Sequence, residues 1–265
     1  GEVLYVYAPL AHRLGLHDMK MELEDLSFKY RQPEAYQELS EEIEARRVWH
    51  DSILDTNARR MREVFHMENL DVRVKKRKRS LYSTWKQLQS QHVSLDDMEN
   101  FLILRLIFPD LDTARQDKLR CWYLYGLLTQ HFTTKVQKVK DWLANPRSNG
   151  YAALHGAVLS DHKWIDVQIM SERMQAIADK GYGTLSHYFN PKNEKTLLDH
   201  WLSHVQLFLG EEDKRDKTEV LDILKDNLYI SDILVYTPKG DTLRLPREST
   251  VLDFAFHIHT ELGKN

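Results

Sequence analysis

Apolar residues in the first third of the chain recur at helical spacing between strongly charged positions. Leu, Met or Phe stands at positions 10, 14, 21, 23, 26 and 28, which predicts one or two amphipathic helices. Pro33 interrupts this pattern, because the residue before a proline is pushed out of the helical region. A long charged helix is predicted from Glu34 to about Phe65, with a buried stripe at Leu39, Ile43, Leu54, Met61 and Phe65. We interpret this segment as a helical support.

After about residue 70, short apolar runs alternate with helical patterns. The run FLILRLIF at 101–108 is short, apolar and followed by Pro109-Asp110, which is typical of a buried strand. This alternation predicts an α/β layer domain of roughly 130 residues. In chain order, the predicted elements are a helix over 81–88, a strand over 101–108, a helix over 114–128, a hairpin of strands 157–160 and 164–169 around Asp161-His162, and a helix capped by Ser171 that runs to about Lys180.

The last third has a different pattern. Residues 190–209 are predicted to be a loop and then an amphipathic helix, and the charged run 210–217 is interpreted as a linker or loop. A hairpin of strands 230–236 and 242–245 is predicted, because apolar runs flank a turn that contains Pro and Gly. Thr250 is predicted to cap a helix through Leu262.

Composition limits the class of protein. Hydrophobic residues make up 42% and charged residues 29%, which argues for a globular fold. The net charge of −3 gives no overall basic excess, so any contact with nucleic acid must come from a local patch. The single cysteine, Cys121, excludes an internal disulfide framework, fits a reducing cytoplasm and is interpreted as a buried thiol. No apolar run approaches the ~18–20 residues that a membrane helix needs, so no membrane partner is expected.

A basic run occupies residues 73–79, where six of seven residues are Arg or Lys. Such a concentration of cations can neutralise the phosphates of a nucleotide or of RNA. Three interpretations stay open: a solvated basic loop, a polyphosphate site and a contact with nucleic acid.

A second cluster combines cations with an aromatic ring near a tight turn. Asn149-Gly150 is a turn signal that would place Tyr151 and His155 beside Lys138 and Lys140. A tyrosine ring can stack on a base while cations hold its phosphates. The alternative is an ordinary turn with a half-buried tyrosine.

Asp166 stands at an alternating position of the strand WIDVQI. A carboxylate there can face a cleft, where it would bind Mg²⁺ or accept a proton. It can equally be a strand residue that faces solvent. The thirteen histidines give no metal-binding signature.

Taken in order, these segments resemble the long RelA/SpoT homologues, which make and degrade the alarmone (p)ppGpp. The resemblance covers nearly the whole chain. It rests on YAPLAHRLG at 7–15, MELEDL at 21–26, Arg77, Arg79, Tyr82, Ser83 and Trp85, Lys140-Asp141, NGY at 149–151 with His155, Gln168-Ile169, and YTPKG at 236–240.

The resemblance implies an α+β fold in which a nucleotidyltransferase-like α/β domain with a mixed sheet lies between two incomplete neighbours. The implied parts are the helical end of a hydrolase domain with linker helices over 1–66, a synthetase-like domain over 67–190, a helical linker over 191–227 and a partial β-grasp TGS domain over 228–265. The chain lacks an initiating Met and stops soon after the last hairpin, so we expect a piece of a longer protein. Since the family's metal-binding hydrolase motifs would lie upstream, we expect no (p)ppGpp hydrolysis by this chain.

In the family, the synthetase transfers pyrophosphate from ATP to the ribose 3′-hydroxyl of GDP or GTP with Mg²⁺. By resemblance, Arg77 and Arg79 would hold ATP phosphates, and Tyr151 would stack on guanine. The full set of implied substrate-binding residues is Arg77, Arg79, Ser83, Lys86, Gln87, Arg105, Lys138, Lys140, Asp141, Asn149, Tyr151, His155 and Gln168.

Three departures from the family pattern concentrate on the ATP and metal side. The Mg²⁺-binding aspartate falls on Asn100, a glutamate in the second strand falls on Asp166, and an ATP-side lysine falls on Gln87. An amide in place of a carboxylate removes a full charge from the Mg²⁺ site, and Asp166 withdraws its carboxylate by one methylene.

We therefore expect weakened Mg²⁺ and ATP binding, with GDP or GTP binding retained, in a synthetase-like domain that is weak or inactive and regulates a neighbouring hydrolase domain. Two alternatives remain: an active GTP diphosphokinase that tolerates these replacements, and a module that contacts tRNA or the ribosome through the complete TGS domain.

Overall fold

The computed structural model describes residues 3–99, 101–147, 149–181, 232–236, 242–246, 250–251 and 254–255. Most of the described chain folds as helices followed by a mixed sheet. A π-helical turn, Val3–Tyr7, opens the chain and a 3₁₀ turn, Val136–Lys138, precedes the third strand. The helices are α1 (Ala8–Arg13), α2 (His17–Arg31), α3 (Pro33–Met67), α4 (Leu81–Gln91), α5 (Ala114–His131) and α6 (Glu172–Lys180); the strands are β1 (Arg73–Lys76), β2 (Leu102–Phe108), β3 (Lys140–Asp141), β4 (Leu154–Ser160), β5 (Lys163–Ser171), β6 (Asp232–Tyr236) and β7 (Thr242–Pro246).

The predicted long helix is confirmed as α3. It starts with Pro33, whose fixed φ suits the first helical position, where its missing N–H costs nothing. Leu54, Met61 and Phe65 are buried as expected and join the main core, whereas Ile43 is only partly buried. The helix thus supports the sheet through its second half.

The five-stranded sheet has the order β1-β2-β5-β4-β3, with β2 and β5 parallel and the other pairs antiparallel. This mixed sheet confirms the α+β fold class. The central strand β2 is buried along its whole length, as the sequence predicts. The interpretation of the basic run as a solvated loop is wrong for residues 73–76. These residues form the edge strand β1, in which Val74 packs into the core while its three basic neighbours face solvent.

Local signals in the sequence explain how the helices and the hairpin begin. Thr113 and Gln116 form a reciprocal capping box at the start of α5, and the Ser171 hydroxyl accepts the Met174 N–H at the start of α6. Asp161 and His162 both adopt positive φ, which suits the two-residue turn between β4 and β5. The predicted Ser171 cap and the hairpin turn at Asp161-His162 are confirmed, and the helix predicted over 114–128 extends to His131.

One row of polar residues crosses the sheet. Lys75, Arg105, Gln168, His155 and Lys140 are direct neighbours on successive strands. Since neighbouring residues in register point to the same face, the row marks one face as polar. Alternate positions of β2 and β5, such as Leu104 and Val167, join the apolar core.

The chain divides into two compact units, Gly1–Leu198 and Asp199–Asn265. In the second unit, β6 and β7 pair antiparallel, which confirms the predicted hairpin. The predicted helix within 190–209, the linker 210–217 and most of the helix after Thr250 lie outside the described residues. Within the described ranges, none of the helices combines the length and apolarity needed to cross a membrane.

Candidate functional site

A cavity of about 310 Å³ opens on the polar face of the sheet. Five cationic side chains and two carboxylates line it, so its walls favour an anion. The volume is within the range of small-molecule sites. The lining residues are His12, Gly15, His17, Lys20, Met21, Glu24, Arg77, Lys78, Arg79, Ser80, Ser83, Ile103, Arg147, Asn149, Tyr151, His155, Asp166, Gln168, Ile177 and Ala178.

Arg77 is a largely buried cation that makes its side-chain hydrogen bonds to neutral groups. Its Nη1 donates to Gln168 Oε1 at 3.1 Å, and its Nη2 contacts His17 Nε2. Burial, reinforced by the charge of Arg105, lowers the pKa of Arg77. A buried charge is costly unless it meets a counter-charge, and no carboxylate in the described contacts supplies one. Arg77 is therefore suited to bind an anionic ligand.

Arg79 follows the same pattern two residues later. Its Nη2 donates to Gln87 Oε1 at 2.6 Å and approaches the Ser83 carbonyl oxygen at 3.5 Å. Burial lowers the pKa of the Arg79 guanidinium, while the charge of Asp166 opposes that shift. The second half of the basic run thus lines the cavity, where Arg79 lies near both Gln87 and the charge of Asp166.

The NGY turn forms an aromatic corner of the cavity. Gly150 has φ of 76°, a conformation that favours glycine, and Asn149 Oδ1 accepts the Tyr151 N–H at 3.2 Å. The Tyr151 hydroxyl lies 2.7 Å from His155 Nε2, and the Arg147 guanidinium lies 5.7 Å from the centre of the Tyr151 ring. Burial, followed by the charge of Arg147, lowers the pKa of His155 to about 3, so its ring is neutral.

Asp166 brings a carboxylate to the cavity from β5. Its Oδ1 is buried and has no hydrogen-bond partner among the described residues. Burial raises the pKa of Asp166 to about 6, although Lys138, Lys140 and Arg79 act in the opposite direction. The sequence interpretation of a solvent-facing strand residue is therefore wrong, and a carboxylate facing a cleft is what the structure contains.

The Mg²⁺ implied by the family pattern needs oxygen ligands, of which one or two carboxylates are usual beside the phosphates. Among the described residues, no group of three His, Cys, Asp or Glu side chains could hold a metal ion. Glu99 lies in the turn before β2, its charge acts on Asp166, and it is paired with Lys135 and Lys138. Asn100 lies outside the described residues. The described residues therefore form no three-ligand metal site of their own, and Asp166 is a carboxylate in the cavity that would meet Mg²⁺ held by substrate phosphates.

The sheet row brings Gln168 and His155 into the cavity, and Ser83 lines it from the first turn of α4. Arg105, the next member of the row, does not line it. Its Nη1 donates to Asp179 Oδ1 at 2.8 Å, and the Arg105 side chain is 8% exposed. Arg105 thus ties α6 to the sheet beneath the cavity.

Three residues of the loop before β4 are engaged elsewhere. Lys138 pairs with Glu99 at 2.7 Å, and Lys140 is exposed on the edge strand β3. Asp141 Oδ1 accepts the backbone N–H groups of Leu143 and Ala144, which stabilises the following turn. None of the three lines the cavity as described. On α4, Lys86 is exposed and Gln87 reaches the site only through Arg79.

Sequence reasoning missed the wall that α1 and α2 contribute. His12, His17, Lys20, Met21 and Glu24 all line the cavity from this helical segment. The sequence contains a weak signal for the polar residues of this wall. His17, Lys20 and Glu24 recur at helical spacing, so they share one face of α2, and the large apolar residues lie mostly on other faces. Arg147, which the sequence places in the basic loop beside the NGY turn, also lines the cavity.

Comparison with known protein families identifies two regions. The model described as "Region found in RelA / SpoT proteins" matches residues 76–194, and the TGS domain model matches residues 233–265. The first region contains β1's last residue and nearly all of the cavity residues outside α1 and α2. The second contains β6 and β7.

Curated relatives match along the chain. A GTP pyrophosphokinase from Photobacterium angustum is 29% identical over 99% of this chain and 35% of that protein. A guanosine-3′,5′-bis(diphosphate) 3′-pyrophosphohydrolase from Aquifex aeolicus is 32% identical over 100% of this chain and 37% of that protein. The chain thus spans about a third of the length of these relatives. Among solved structures, the small alarmone synthetase 2 from Bacillus subtilis aligns with 68% of this chain and 87% of its own, at 17% identity and a TM-score of 0.40.

Proposed function

Since the chain belongs to the RelA/SpoT family, we propose that its first compact unit binds a guanine nucleotide and takes part in (p)ppGpp metabolism. We further propose that this synthetase-like unit transfers pyrophosphate weakly or not at all, and that it acts as a regulatory module for a neighbouring hydrolase domain.

The observation that carries nucleotide binding is Arg77, a largely buried cation whose described side-chain partners are uncharged. Its hydrogen bonds go to an amide and an imidazole, and Arg79 lines the same cavity. A phosphate would supply the missing counter-charge, and charge-assisted hydrogen bonds of this kind are roughly twice as strong as neutral ones. Tyr151 lines the same cavity and offers a ring for a base.

One observation supports weak transfer. Gln87, where the family has a lysine, accepts a hydrogen bond from Arg79 instead of adding a cation. Losing a stabilising charge near the transferred group commonly lowers the rate ~10²–10³-fold, and the effects of several such losses are not additive.

Calorimetry on the 265-residue chain tests the binding proposal. We expect GDP to bind more tightly than ATP, because the departures concentrate on the ATP side. Equal affinity for both nucleotides would contradict the proposed asymmetry, and absence of binding by GDP, GTP and ppGpp would reject nucleotide binding altogether. A Lys75→Gln variant is the matched control, since Lys75 is an exposed cation of the same run.

A transfer assay with labelled ATP and GDP, run with Mg²⁺ and with Mn²⁺, tests the proposed weakness. We expect a rate at least ~10²-fold below that of an active relative measured in parallel. The double reversion Asn100→Asp with Gln87→Lys is expected to recover activity. A rate near that of the active relative in the unaltered chain would sink the proposal.

One observation favours the alternative of an active synthetase. Asp166 has a pKa raised to about 6 by burial, and a general base works best when its pKa lies near the working pH. In this alternative, Asp166 takes the proton of the ribose hydroxyl. Asp166→Asn would then abolish transfer while leaving GDP affinity within about twofold, an outcome that the transfer assay reads directly.

A further inference from the structure

Two side chains contact the Arg77 guanidinium, and one of them, His17, belongs to helix α2, outside the α/β layer. Helix α2 begins at His17, and His17 Nε2 contacts Arg77 Nη2. Gln168 holds the other terminal nitrogen of the same guanidinium. Both partners line the cavity with Arg77. The guanidinium plane is therefore fixed at both ends, and its remaining N–H groups are left for a ligand.

The chemistry of this contact requires a neutral imidazole. An arginine side chain has donors and no acceptor, so His17 Nε2 must accept, which places the ring proton on Nδ1. Burial, followed by the charges of Arg77, Lys20, Arg105 and His12, lowers the pKa of His17 to about 3. A neutral acceptor orients Arg77 and leaves its charge intact, whereas a carboxylate at this position would neutralise it.

Two contacts, one at the turn that precedes α2 and one within α2, hold this segment independently of His17. Gly181, with φ of 75°, ends α6 so close to Leu14 that an added Cβ would lie 2.3 Å from the Leu14 carbonyl oxygen. At the other end of the segment, Asp25 Oδ1 accepts the Tyr82 N–H at 2.8 Å, which ties α2 to the first turn of α4. The imidazole is thus presented to Arg77 by a helix anchored on both sides of the cavity.

We propose that His17 is a positioning residue of the nucleotide site: as an uncharged acceptor, it holds the Arg77 guanidinium in the orientation that meets a phosphate. This inference rests on the proposed nucleotide binding and deepens it. It also places residue 17 in the site, outside residues 76–194 that match the family model. Holding a long side chain in advance removes an ordering cost from binding, and this is the effect that His17 supplies.

The test compares acceptor and non-acceptor side chains at position 17. Binding of GDP and of inorganic pyrophosphate to the 265-residue chain is measured by calorimetry for His17→Gln, His17→Leu and His17→Glu. We expect His17→Leu to weaken both ligands about five- to tenfold, and His17→Gln, which keeps an acceptor, to stay within about twofold of the unaltered chain. His17→Glu should weaken them further, because it pairs with Arg77. Thermal unfolding of each variant verifies that it is folded.

A double-mutant cycle with Arg77→Met separates positioning from a general structural effect. Once Arg77 is absent, His17→Leu should change affinity by less than about twofold, because it acts only through Arg77. Equal losses from His17→Leu with and without Arg77, or no loss in the unaltered background, would overturn the inference. If the unaltered chain binds neither GDP nor pyrophosphate, both the proposed function and this inference fail. If it binds them with an affinity that does not depend on the residue at position 17, only this inference fails.

Discussion

The basic run consists of an outer half, Arg73–Lys76, and an inner half, residues 77–79. The cations of the two halves have different kinds of partners. In the outer half, Arg73 pairs with Glu172, and Lys76 pairs with Asp51 and Asp55 at 3.0 Å. In the inner half, Arg77 and Arg79 hydrogen-bond to uncharged side chains and line the cavity. The outer cations Arg73 and Lys76 are neutralised by the protein itself, whereas Arg77 has no carboxylate among its described hydrogen bonds and remains able to bind an anion.

This contrast shows that a density of basic residues does not by itself identify a binding site. The other arginines with described ion pairs, such as Arg105 and Arg173, follow the outer pattern and meet a carboxylate. What distinguishes the site is the burial of Arg77 without a carboxylate among its described hydrogen bonds. The sequence contains the cations, but the partners that separate the two patterns come from distant segments.

The largest expected effect comes from removing the inner charge. Arg77→Met should lower GDP affinity by ~10–100-fold, because a charged hydrogen bond to phosphate contributes ~1.5–3 kcal/mol. It should leave the free energy of unfolding unchanged or higher, because it removes a buried charge that lacks a counter-charge. Calorimetry and chemical denaturation measure the two quantities.

The matched control for that variant is Arg73→Met in the outer half. Its GDP affinity should stay within about twofold of the unaltered chain, since Arg73 is half-exposed and paired with Glu172. Similar losses of affinity in the two variants would show that the halves do not differ, and the comparison would break.

A second prediction concerns acid. The folded chain holds His17 at a pKa of about 3, whereas an unfolded histidine has a pKa near 6.5. Between these values the unfolded chain takes up a proton that the folded chain refuses, so stability falls as the pH falls from about 6.5 towards 3. His17→Gln removes this contribution. On going from pH 7.5 to pH 5, the free energy of unfolding of the variant should therefore fall by ~2 kcal/mol less than that of the unaltered chain.

Denaturant unfolding at the two pH values measures that difference. The comparison is between the unaltered chain and His17→Gln, because His155 and Asp166 also titrate and are common to both. An identical loss of stability on acidification in the two proteins would mean that His17 is protonated in the folded chain, and the inner half would then carry an extra charge.

The smallest effect is expected in the outer half. Lys76→Met removes the contacts to Asp51 and Asp55, whose side chains are about half exposed. Exposed ion pairs contribute ~0–1 kcal/mol, and salt screens them, so the destabilisation should be below ~1 kcal/mol and should shrink in 1 M NaCl. A loss that exceeds this value, or one that grows with salt, would show that the pairs are not simple surface contacts.

Much of the fold could be predicted from local signals. Strand β2 was predicted because its apolar run is short and ends at a proline, and α6 because Ser171 precedes a helical pattern. Strand β1 could not be predicted, because only Val74 of its four residues is apolar and the strand exists to pair with the edge of β2. The signal for that pairing lies in a partner thirty residues away.

The candidate site was predictable where the sequence motif and the geometry coincide, as for Tyr151, Gln168 and Arg77. It was not predictable where a neighbour competes for the side chain: Lys138 was expected at the nucleotide but pairs with Glu99. His17 could not be found either, because its role depends on the packing of α2 across the cavity. A residue role inferred from resemblance to a family takes no account of the neighbours in this chain that compete for the side chain or position it.

The polar row across the sheet makes the site inseparable from strand register. Because side chains alternate between faces, a slip of β5 by one residue would turn Asp166 and Gln168 into the core and bring Ile165 and Val167 out. The binding-competent form then exists only when the sheet is fully and correctly paired. A nucleotide that binds as we propose would therefore select against misregistered chains during folding, because it would stabilise only the correctly paired sheet.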